Sequence, residues 1–409
     1  MKTKQTTIRT LWNSFLIMFL GSLLAGQAQG QIFVTTPGSG TIGKYDTTSG
    51  ATINASLVSG LNRPSGIALF GGHLFVLNSG SGTIGEYDAT TGATINSSLI
   101  SNLGSNFLIG GGIAVSGGHL FVLNGISIGV FDASTGATVN ANLVPPEALP
   151  GDVFSIAVSG GHLFVAGGSY GSNSATIGVY DATTGATINA SLVGEFVLSN
   201  PFGIAISGGH LFVANLYDGT VGEYDATTGA TINSSLVPGD IAPVGIAVSG
   251  GNLFVTNYFG GTSGFIGEYN ATTGATINAS LVSGLNGPFG IAVGESYSAQ
   301  LQQPVNPDGS SVFSVKRGVV PVKFTVTASG AATCQLPPAT ISLIRTAGTV
   351  LGAVDESTYL SQADNGSTFR IEGCQYGYNL ATSSLGTGTY KANISIGGVV
   401  VGSGTFSLK

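Results

Sequence analysis

One type of chemically reactive residue recurs regularly in this chain. It is an aspartate that begins a short repeated sequence. The pattern Asp-x-x-Thr-Gly, with serine replacing threonine once, starts at five aspartates: Asp46, Asp88, Asp132, Asp181 and Asp225. Such a series suits either a set of metal ligands or the first residue of a tight turn. A turn aspartate accepts hydrogen bonds from the amides after it, and the glycine supplies a positive φ. Because a sixth copy has Asn270, which suits the turn but lacks the charge, we predict turns and no metal cofactor, with calcium as the alternative.

The histidines also occupy a single position of a repeated pattern, directly after a turn with two glycines. There are four of them: His73, His119, His162 and His210. Gln31 and Asn252 stand at the same position in other copies, so the position requires only a polar residue at the start of a strand. Copies related by rotation hold their imidazoles far apart, so we predict that they do not bind one metal ion.

These residues belong to a repeat whose aromatic-acidic pair recurs at spacings of 42, 44, 49, 44 and 45 residues. Each unit contains four short runs rich in β-branched and aromatic residues, separated by Gly, Ser, Asp and Asn, which is typical of strands. In one unit the runs are 203–206, 210–213, 220–224 and 230–236. Four strands in about 45 residues is the pattern of a β-propeller blade, so the fold class predicted for residues 31–294 is all-β.

The order of the runs predicts how the ring closes. The repeats begin with a second strand, residues 31–34, and end with a lone first strand, residues 290–293. We therefore expect these two segments to complete one blade together, giving a six-bladed propeller.

Several segments resemble known propeller repeats. Asn252-Leu-Phe-Val-Thr-Asn257, followed by residues 266–270 and 273–277, resembles the YVTN repeat of secreted bacterial and archaeal propellers, and the Gly-Ile-Ala-Val segments are similar to NHL-type propellers. The resemblance covers residues 31–294. It implies a propeller that serves as a binding or surface protein, since most members of these families do so and only some are enzymes.

The six units differ from one another in two of their four loop types. The loops between strands one and two, and between strands three and four, are nearly constant and should share one face. The other loops vary and should share the opposite face, where a ligand would bind, because function usually lies on loops held by a rigid scaffold. Residues outside the repeat pattern collect there, and they are the candidate ligand-binding set: Arg63, Phe107, Glu147, Asp152, Tyr170, Glu195, Asn200, Tyr217, Asp218, Asp240, Tyr258 and Phe259. Aromatic and acidic residues suit a neutral or cationic ligand such as a glycan, a peptide or a protein, although drift in unconstrained loops would give the same pattern.

An enzymatic alternative rests on two further resemblances. Ile-Gly-x-Tyr-Asp is similar to the repeat of streptogramin lyases, which use a catalytic histidine and a metal, but here every histidine lies in the turn position. Lactonase-type propellers bind a divalent metal with carboxylates and amides, and five acids of the variable loops could supply oxygens without any spacing that marks them as a set. No catalytic residues are therefore assigned, and the sequence favours a non-enzymatic protein.

Composition excludes some classes of protein. Only 8% of the 409 residues are charged, against about 25% in average soluble proteins, while 43% are hydrophobic, which argues against global disorder. Residues 31–294 carry thirteen acidic and two basic side chains, Lys44 and Arg63, within a chain of net charge −7. Such a body repels phosphate, so nucleic acid is not an expected partner.

The start of the chain indicates export. Lys2, Lys4 and Arg9 precede an apolar run over residues 15–25, and Ala28-Gln29-Gly30 offers small residues for cleavage, so we predict a signal peptide over residues 1–30 that is cut after Gly30. An uncleaved anchor is the alternative, disfavoured because the run is shorter than the ~20 apolar residues that span a bilayer. The mature protein should then be secreted or periplasmic, with no membrane span.

Beyond the repeats we expect a linker at 295–309 and a second domain at 310–409. About seven short strands in this last part suggest an Ig-like β-sandwich. The segment Gly318-Val-Val-Pro321-Val-Lys323-Phe324 resembles the PxKF module of secreted bacterial proteins. Cys334 and Cys374 are the only cysteines of the chain, and in an exported domain they most simply form one disulfide.

Three functions follow from this evidence. The first is an exported, non-enzymatic binding or cell-surface propeller, the second is a metal-dependent lactonase- or lyase-type enzyme, and the third is a structural envelope or matrix protein.

Overall fold

The computed structural model of the chain describes residues 30–104, 112–168, 175–194, 197–239, 242–259, 261–294, 297–328, 331–332, 334, 339–348, 363–382, 385–396 and 399–409. The predicted signal peptide therefore lies outside the described residues, apart from Gly30. Among the residues that are described, no helix has the length and apolar character needed to cross a membrane.

The repeat region is built from short strands, as the alternation of β-branched and turn residues predicts. Its first twelve strands are β1 (Gln31–Thr36), β2 (Thr41–Asp46), β3 (Thr52–Val58), β4 (Pro64–Phe70), β5 (His73–Asn78), β6 (Thr83–Asp88), β7 (Thr94–Ile100), β8 (Ile113–Ser116), β9 (His119–Asn124), β10 (Ser127–Asp132), β11 (Thr138–Val144) and β12 (Asp152–Ser159). The next twelve are β13 (His162–Gly168), β14 (Thr176–Asp181), β15 (Thr187–Val193), β16 (Pro201–Ser207), β17 (His210–Asn215), β18 (Thr220–Asp225), β19 (Thr231–Val237), β20 (Pro243–Ser249), β21 (Asn252–Asn257), β22 (Gly264–Asn270), β23 (Thr276–Leu285) and β24 (Ile291–Gly294). Short 3₁₀ turns lie at Pro146–Ala148 and Gly261–Ser263.

These strands form six four-stranded antiparallel sheets in the described part of the chain. We number them by the unit to which they belong: sheet 1 (β24, β1, β2, β3), sheet 2 (β4–β7), sheet 3 (β8–β11), sheet 4 (β12–β15), sheet 5 (β16–β19) and sheet 6 (β20–β23). The first strand of each sheet contacts the first strand of the next, and β24 contacts both β20 and β4, so the contacts close into a ring. The sheets therefore surround a central channel.

Sheet 1 joins the two ends of the repeat region. Gln31 pairs with Gly294 and Val34 pairs with Ile291, so the first strand of the repeats lies against the last one. Backbone hydrogen bonds continue this pairing, since the Thr35 amide donates to the Gly290 carbonyl at 2.9 Å. The ring is thus closed by hydrogen bonds between segments that are far apart in sequence.

Neighbouring sheets meet at a close contact made by the glycine of the Asp-x-x-Thr-Gly turn. Gly92 of sheet 2 has a φ of +74°, and a Cβ built there would lie 1.9 Å from the Leu57 carbonyl oxygen of sheet 1. The same contact recurs in every sheet, and it pairs Gly50 with Leu281 across the closure. Glycine is therefore required at this position for two reasons: the backbone has a positive φ, and the neighbouring sheet leaves no space for a Cβ atom.

A second glycine explains the Gly-x-Tyr pattern of the third strands. The Tyr87 ring lies over Gly85, where a Cβ would come within 2.4 Å of the tyrosine oxygen. Tyr180 and Tyr224 lie over Gly178 and Gly222 in the same way and are fully buried. Tyr180 packs among residues of sheet 3 and donates a hydrogen bond to the Ala148 carbonyl at 2.5 Å. The aromatic residue of the third strand thus packs between neighbouring sheets.

The fourth strand of each sheet is an exposed edge that is interrupted by a bulge. Asn54 accepts a hydrogen bond on its side-chain oxygen from the Ser56 amide at 3.0 Å, and the register between β2 and β3 shifts beside it. The equivalent bond forms in all six sheets. Ile53 precedes this bulge and is 51% exposed.

The remaining strands form two sheets that share one core. They are β25 (Tyr297–Gln302), β26 (Val312–Phe313), β27 (Val319–Ala328), β28 (Ala331–Ala332), β29 (Ala339–Ala347), β30 (Arg370–Glu372), β31 (Gln375–Ala381), β32 (Gly388–Ile396) and β33 (Val399–Leu408), with a 3₁₀ turn at Val315–Arg317. One sheet has the order β25-β27-β31-β30, with β28 beside β27, and the other has the order β26-β33-β32-β29. Phe324 stacks on Tyr376 at 4.4 Å between ring centroids in the shared core.

The expected linker at 295–309 is wrong for part of its length. Residues Tyr297–Gln302 pair with β27, and Leu301 and Val305 are buried in the shared core. Most residues of this segment are polar, but burial of Leu301 and Val305 and the pairing with β27 attach it to the C-terminal module. The predicted disulfide between Cys334 and Cys374 is present in this module.

The close contact at the turn glycine can be tested by adding one methyl group. We expect Gly92→Ala to lower the free energy of unfolding by about 3 kcal/mol, because the new Cβ strains the backbone and also displaces the neighbouring sheet. Gly71→Ala is the matched control, since Gly71 has a φ of +59° and nothing within 4 Å of its Cβ position. It should cost only about 1 kcal/mol. Equal losses in chemical denaturation would contradict the role of the contact.

Candidate functional site

The loops lie on two faces, each held together by backbone hydrogen bonds. On the first face, the turn between strands three and four is bonded to the turn between strands one and two, as when the Ala226 amide donates to Gly209 at 2.8 Å. On the other face, the loop between strands two and three is bonded to a linker between sheets, as when the Tyr258 amide donates to Ala242 at 2.8 Å. We call these the constant face and the variable-loop face.

The repeated aspartates form turns on the constant face. Asp181 accepts hydrogen bonds on one carboxylate oxygen from the amides of Thr183 and Thr184 at 3.0 and 2.7 Å. Asn270 accepts the equivalent bonds at 3.0 and 2.8 Å, so a neutral amide makes the same turn. At Asp132 the hydroxyls of Ser134 and Thr135 also donate, and these bonds lower the pKa of Asp132 to about 2.

The histidine position has a partner that sequence reasoning missed. His73 lies 2.6 Å from Glu86 and His210 lies 2.7 Å from Glu223, in both cases from Nδ1 to a carboxylate oxygen. Asn252 donates to Glu268 at 2.7 Å in the same place. These three glutamates are buried. One indication of their role lies in the sequence, since the second residue of the Gly-Glu-Tyr-Asp element varies between Glu, Val and Lys while its neighbours hardly change.

The described residues offer no cluster of three or more His, Cys, Asp or Glu side chains that could hold a metal ion. The histidines lie at the constant face, while the acids Glu147, Asp152 and Asp218 lie at the other face. Where carboxylates do lie beside histidines, at the constant face, His73 and His210 are each paired with one glutamate, Glu86 and Glu223.

The variable-loop face presents exposed aromatic side chains in two neighbouring sheets. Tyr217 is 51% exposed in the β17–β18 loop, and Tyr258 and Phe259 are 48% and 38% exposed in the equivalent β21–β22 loop. We call these three residues the aromatic patch. Asp218 is exposed beside Tyr217 and gives the patch a negative charge.

The aromatic patch is supported from below. Tyr258 lies against Gly287 of the linker into sheet 1, where a Cβ would be 3.0 Å from its ring. Phe259 stacks on Phe265 with 5.9 Å between ring centroids. The Tyr217 amide donates to the Ser199 carbonyl at 3.3 Å. The rings of Tyr258 and Phe259 therefore rest on the scaffold, while Tyr217 is held through its backbone, and this support reduces the entropy lost when the patch binds a ligand.

The other candidate residues are distributed around the ring. Arg63 is exposed in the linker into sheet 2, Glu147 is exposed in the linker into sheet 4, and Asp152 is exposed at the start of β12. Asn200 is only 2% exposed, and its carbonyl accepts a bond from the Leu216 amide at 3.1 Å, so its side chain is not presented to a ligand. Four candidates lie outside the described residues: Phe107, Tyr170, Glu195 and Asp240.

Three phenylalanines, which sequence reasoning did not single out, meet at the variable-loop end of the central channel. Phe154 stacks on Phe202 at 5.9 Å between centroids, and Phe202 meets Phe289 edge-on at 6.0 Å. Below them the channel has a volume of about 150 Å³, with walls of glycine and isoleucine such as Gly203 and Ile204. Phe202 and Phe289 also line this space, together with the first strands of the sheets.

The chain resembles known proteins in part of its sequence and in its fold. Residues 124–287 match the PQQ_2 family model, described as outer membrane protein assembly factor BamB. No curated protein matches the chain in sequence. A structure of a nidogen/laminin complex is similar with a TM-score of 0.51 and 14% identity, covering 64% of this chain and 98% of that chain. Apo AztD from Citrobacter koseri gives a TM-score of 0.42 at 14% identity, covering 66% and 98%. With the closed ring of sheets, the nidogen likeness shows a β-propeller fold.

Substitutions at Asp88 test whether the repeated carboxylates make turns or bind metal. Asp88→Asn should be nearly neutral, while Asp88→Ala should cost about 1 kcal/mol through lost side-chain hydrogen bonds. Burial alone would raise the pKa of Asp88, but the hydrogen bonds from Thr91 and Thr90 outweigh it and lower this pKa below its usual 3.8. The stabilisation by the charge is thus present above pH 3.8 and is lost as the pH falls through the lowered pKa. Thermal melting against pH checks this, and a calcium-dependent melting shift that Asp88→Asn abolishes would contradict the turn role.

Proposed function

We propose that this protein is an exported, six-bladed β-propeller that binds a protein, peptide or glycan through its variable-loop face and catalyses no reaction. The aromatic patch is the observation that carries this proposal. Exposed aromatic rings on a soluble surface are costly unless a partner covers them, and here they sit in equivalent loops of two neighbouring sheets.

The chemistry of the patch indicates the kind of ligand. Aromatic faces stack on sugar rings and apolar side chains, and they attract cations through the ring quadrupole. Asp218 and the excess of acidic residues in the ring add a negative potential. A neutral or cationic ligand fits this surface better than an anionic one.

The arrangement of polar residues supports a binding role over catalysis. General acid–base chemistry needs two titratable groups within reach of one substrate. Arg63, Glu147 and Asp218 belong to loops of different sheets, and the histidines lie at the constant face. The positions of these residues therefore support contact with a ligand over acid–base catalysis.

We further propose that the C-terminal part is an Ig-like module of the PxKF type. Its two sheets share one core, and β27 carries Pro321, Lys323 and Phe324 of the motif. The Cys334–Cys374 disulfide supports an extracellular or periplasmic location, since such bonds persist in oxidising compartments.

Loss of the aromatic patch should abolish ligand binding without harming the fold. We expect the double substitution Tyr258→Ala and Phe259→Ala to weaken binding to the best ligands on glycan and peptide arrays at least tenfold, since aromatic residues dominate such contacts. Phe70→Ala is the matched control, because Phe70 is 42% exposed on the constant face. Unchanged binding in the double variant, or equal loss in the control, would contradict the proposed surface.

Export can be tested on the full chain produced in a bacterial host. The mature protein in the secreted or periplasmic fraction should begin at Gln31 and contain no free thiol. Ala28→Lys should block cleavage, because a long charged side chain does not fit the small-residue position before the cut. Mass spectrometry of both forms measures the N-terminus and the disulfide, and an intact N-terminus in the exported parent would contradict the cleavage.

A further inference from the structure

A cleft opens between sheets 3 and 4 on the constant face, on the opposite side from the aromatic patch. Its volume is about 250 Å³. Apolar side chains from both sheets line it, namely Phe121, Val130, Leu143 and Val158, and His119 and Thr183 add polar groups. We call it the inter-sheet cleft.

One repeated side chain that lines the cleft is short. Val130 takes the place that Glu86, Glu223 and Glu268 hold in sheets 2, 5 and 6. Each of those glutamates reaches the residue that starts the second strand, as Glu86 reaches His73 at 2.6 Å. His119 starts the second strand of sheet 3, but Val130 offers it no carboxylate.

Sheet 1 shows what kind of group fits this space. Lys44 stands at the position of Val130, and it is only 4% exposed. Its Nζ lies 5.5 Å from the centre of the Phe33 ring and donates to the Ala89 carbonyl of sheet 2 at 3.0 Å. In the inter-sheet cleft Phe121 corresponds to Phe33 and Ala182 corresponds to Ala89. The space between them is thus suited to an apolar body that ends in a hydrogen-bond donor.

We propose that the inter-sheet cleft binds a small neutral aromatic molecule with one N–H or O–H donor, of the indole or phenol class. The ring would lie against Phe121 and Val130, and its donor would reach the Ala182 carbonyl as Lys44 reaches Ala89. A planar ring with one donor matches the apolar walls, and the excess of acidic residues in the ring of sheets disfavours anions. This site is separate from the variable-loop face, so it does not depend on the function proposed for that face.

Indole is a suitable probe because Trp12, the only tryptophan, lies in the predicted signal peptide. Indole emission is then free of protein tryptophan in the chain that begins at Gln31. We expect a saturable blue shift on titration, with a dissociation constant on the order of 0.1 to 1 mM for a ligand of this size. Phenol should compete for the same site.

Val130→Glu should remove binding by filling the cleft with the side chain that the other sheets use. We expect at least a tenfold loss of indole affinity with no loss of melting temperature, since the new glutamate can pair with His119. Val179→Glu is the matched control, because Val179 holds the equivalent position of sheet 4, pairs with Phe164 and does not line the cleft. It should bind indole as the parent does.

A second variant, Val139→Phe, tests the cleft independently in case Val130→Glu does not fold. Val139 is 57% exposed at the mouth of the cleft, so Val139→Phe should block entry with little effect on stability. Loss of the indole shift in either cleft variant, with binding retained in Val179→Glu, supports the proposal. No saturable shift in the parent, or unchanged affinity in the folded cleft variants, overturns it.

Discussion

The structure depends on one contact, the approach of each turn glycine to a leucine carbonyl of the preceding sheet. Gly92 against Leu57 is one case, and Gly50 against Leu281 is the one that joins the two ends of the repeats. The contact fixes the distance between sheets at the constant face. Gly50 and Leu281 make the same contact across the closure, where β1 pairs with β24, so the two ends of the repeats are held in the ring as the other units are.

This constraint divides the molecule into a scaffold that is constant between units and a surface that varies between them. At the constant face the two turn types are bonded to each other, so their length and composition hardly change between units. The loops of the other face are also bonded to the scaffold, as at Tyr258, but they differ in length and sequence between units. Tyr217 and Tyr258 occupy such loops, which is why a binding surface can arise there without altering how the sheets pack.

The repeats made most of the fold predictable, because strand and turn signals were repeated with the same spacing. The turn role of the repeated aspartates could be predicted because Asn270, which has no charge, stands at the same position in the sixth unit. The sequence could not reveal that Phe154, Phe202 and Phe289 meet, since their contact depends on the radius of the ring. The linker was mistaken because Leu301 and Val305 are single apolar residues in a polar segment, and their burial depends on the partner β27.

The bulge in each outer strand has a consequence for the behaviour of the protein in concentrated solution. Six exposed strand edges would invite one molecule to extend the sheets of another, and the charge that normally keeps proteins apart is scarce here, at 8% of residues. The hydrogen bond from Ser56 to Asn54 bends the edge so that a straight strand no longer fits along it. We therefore expect the shape of the outer strands to oppose edge-to-edge association of two molecules even where charge repulsion is screened.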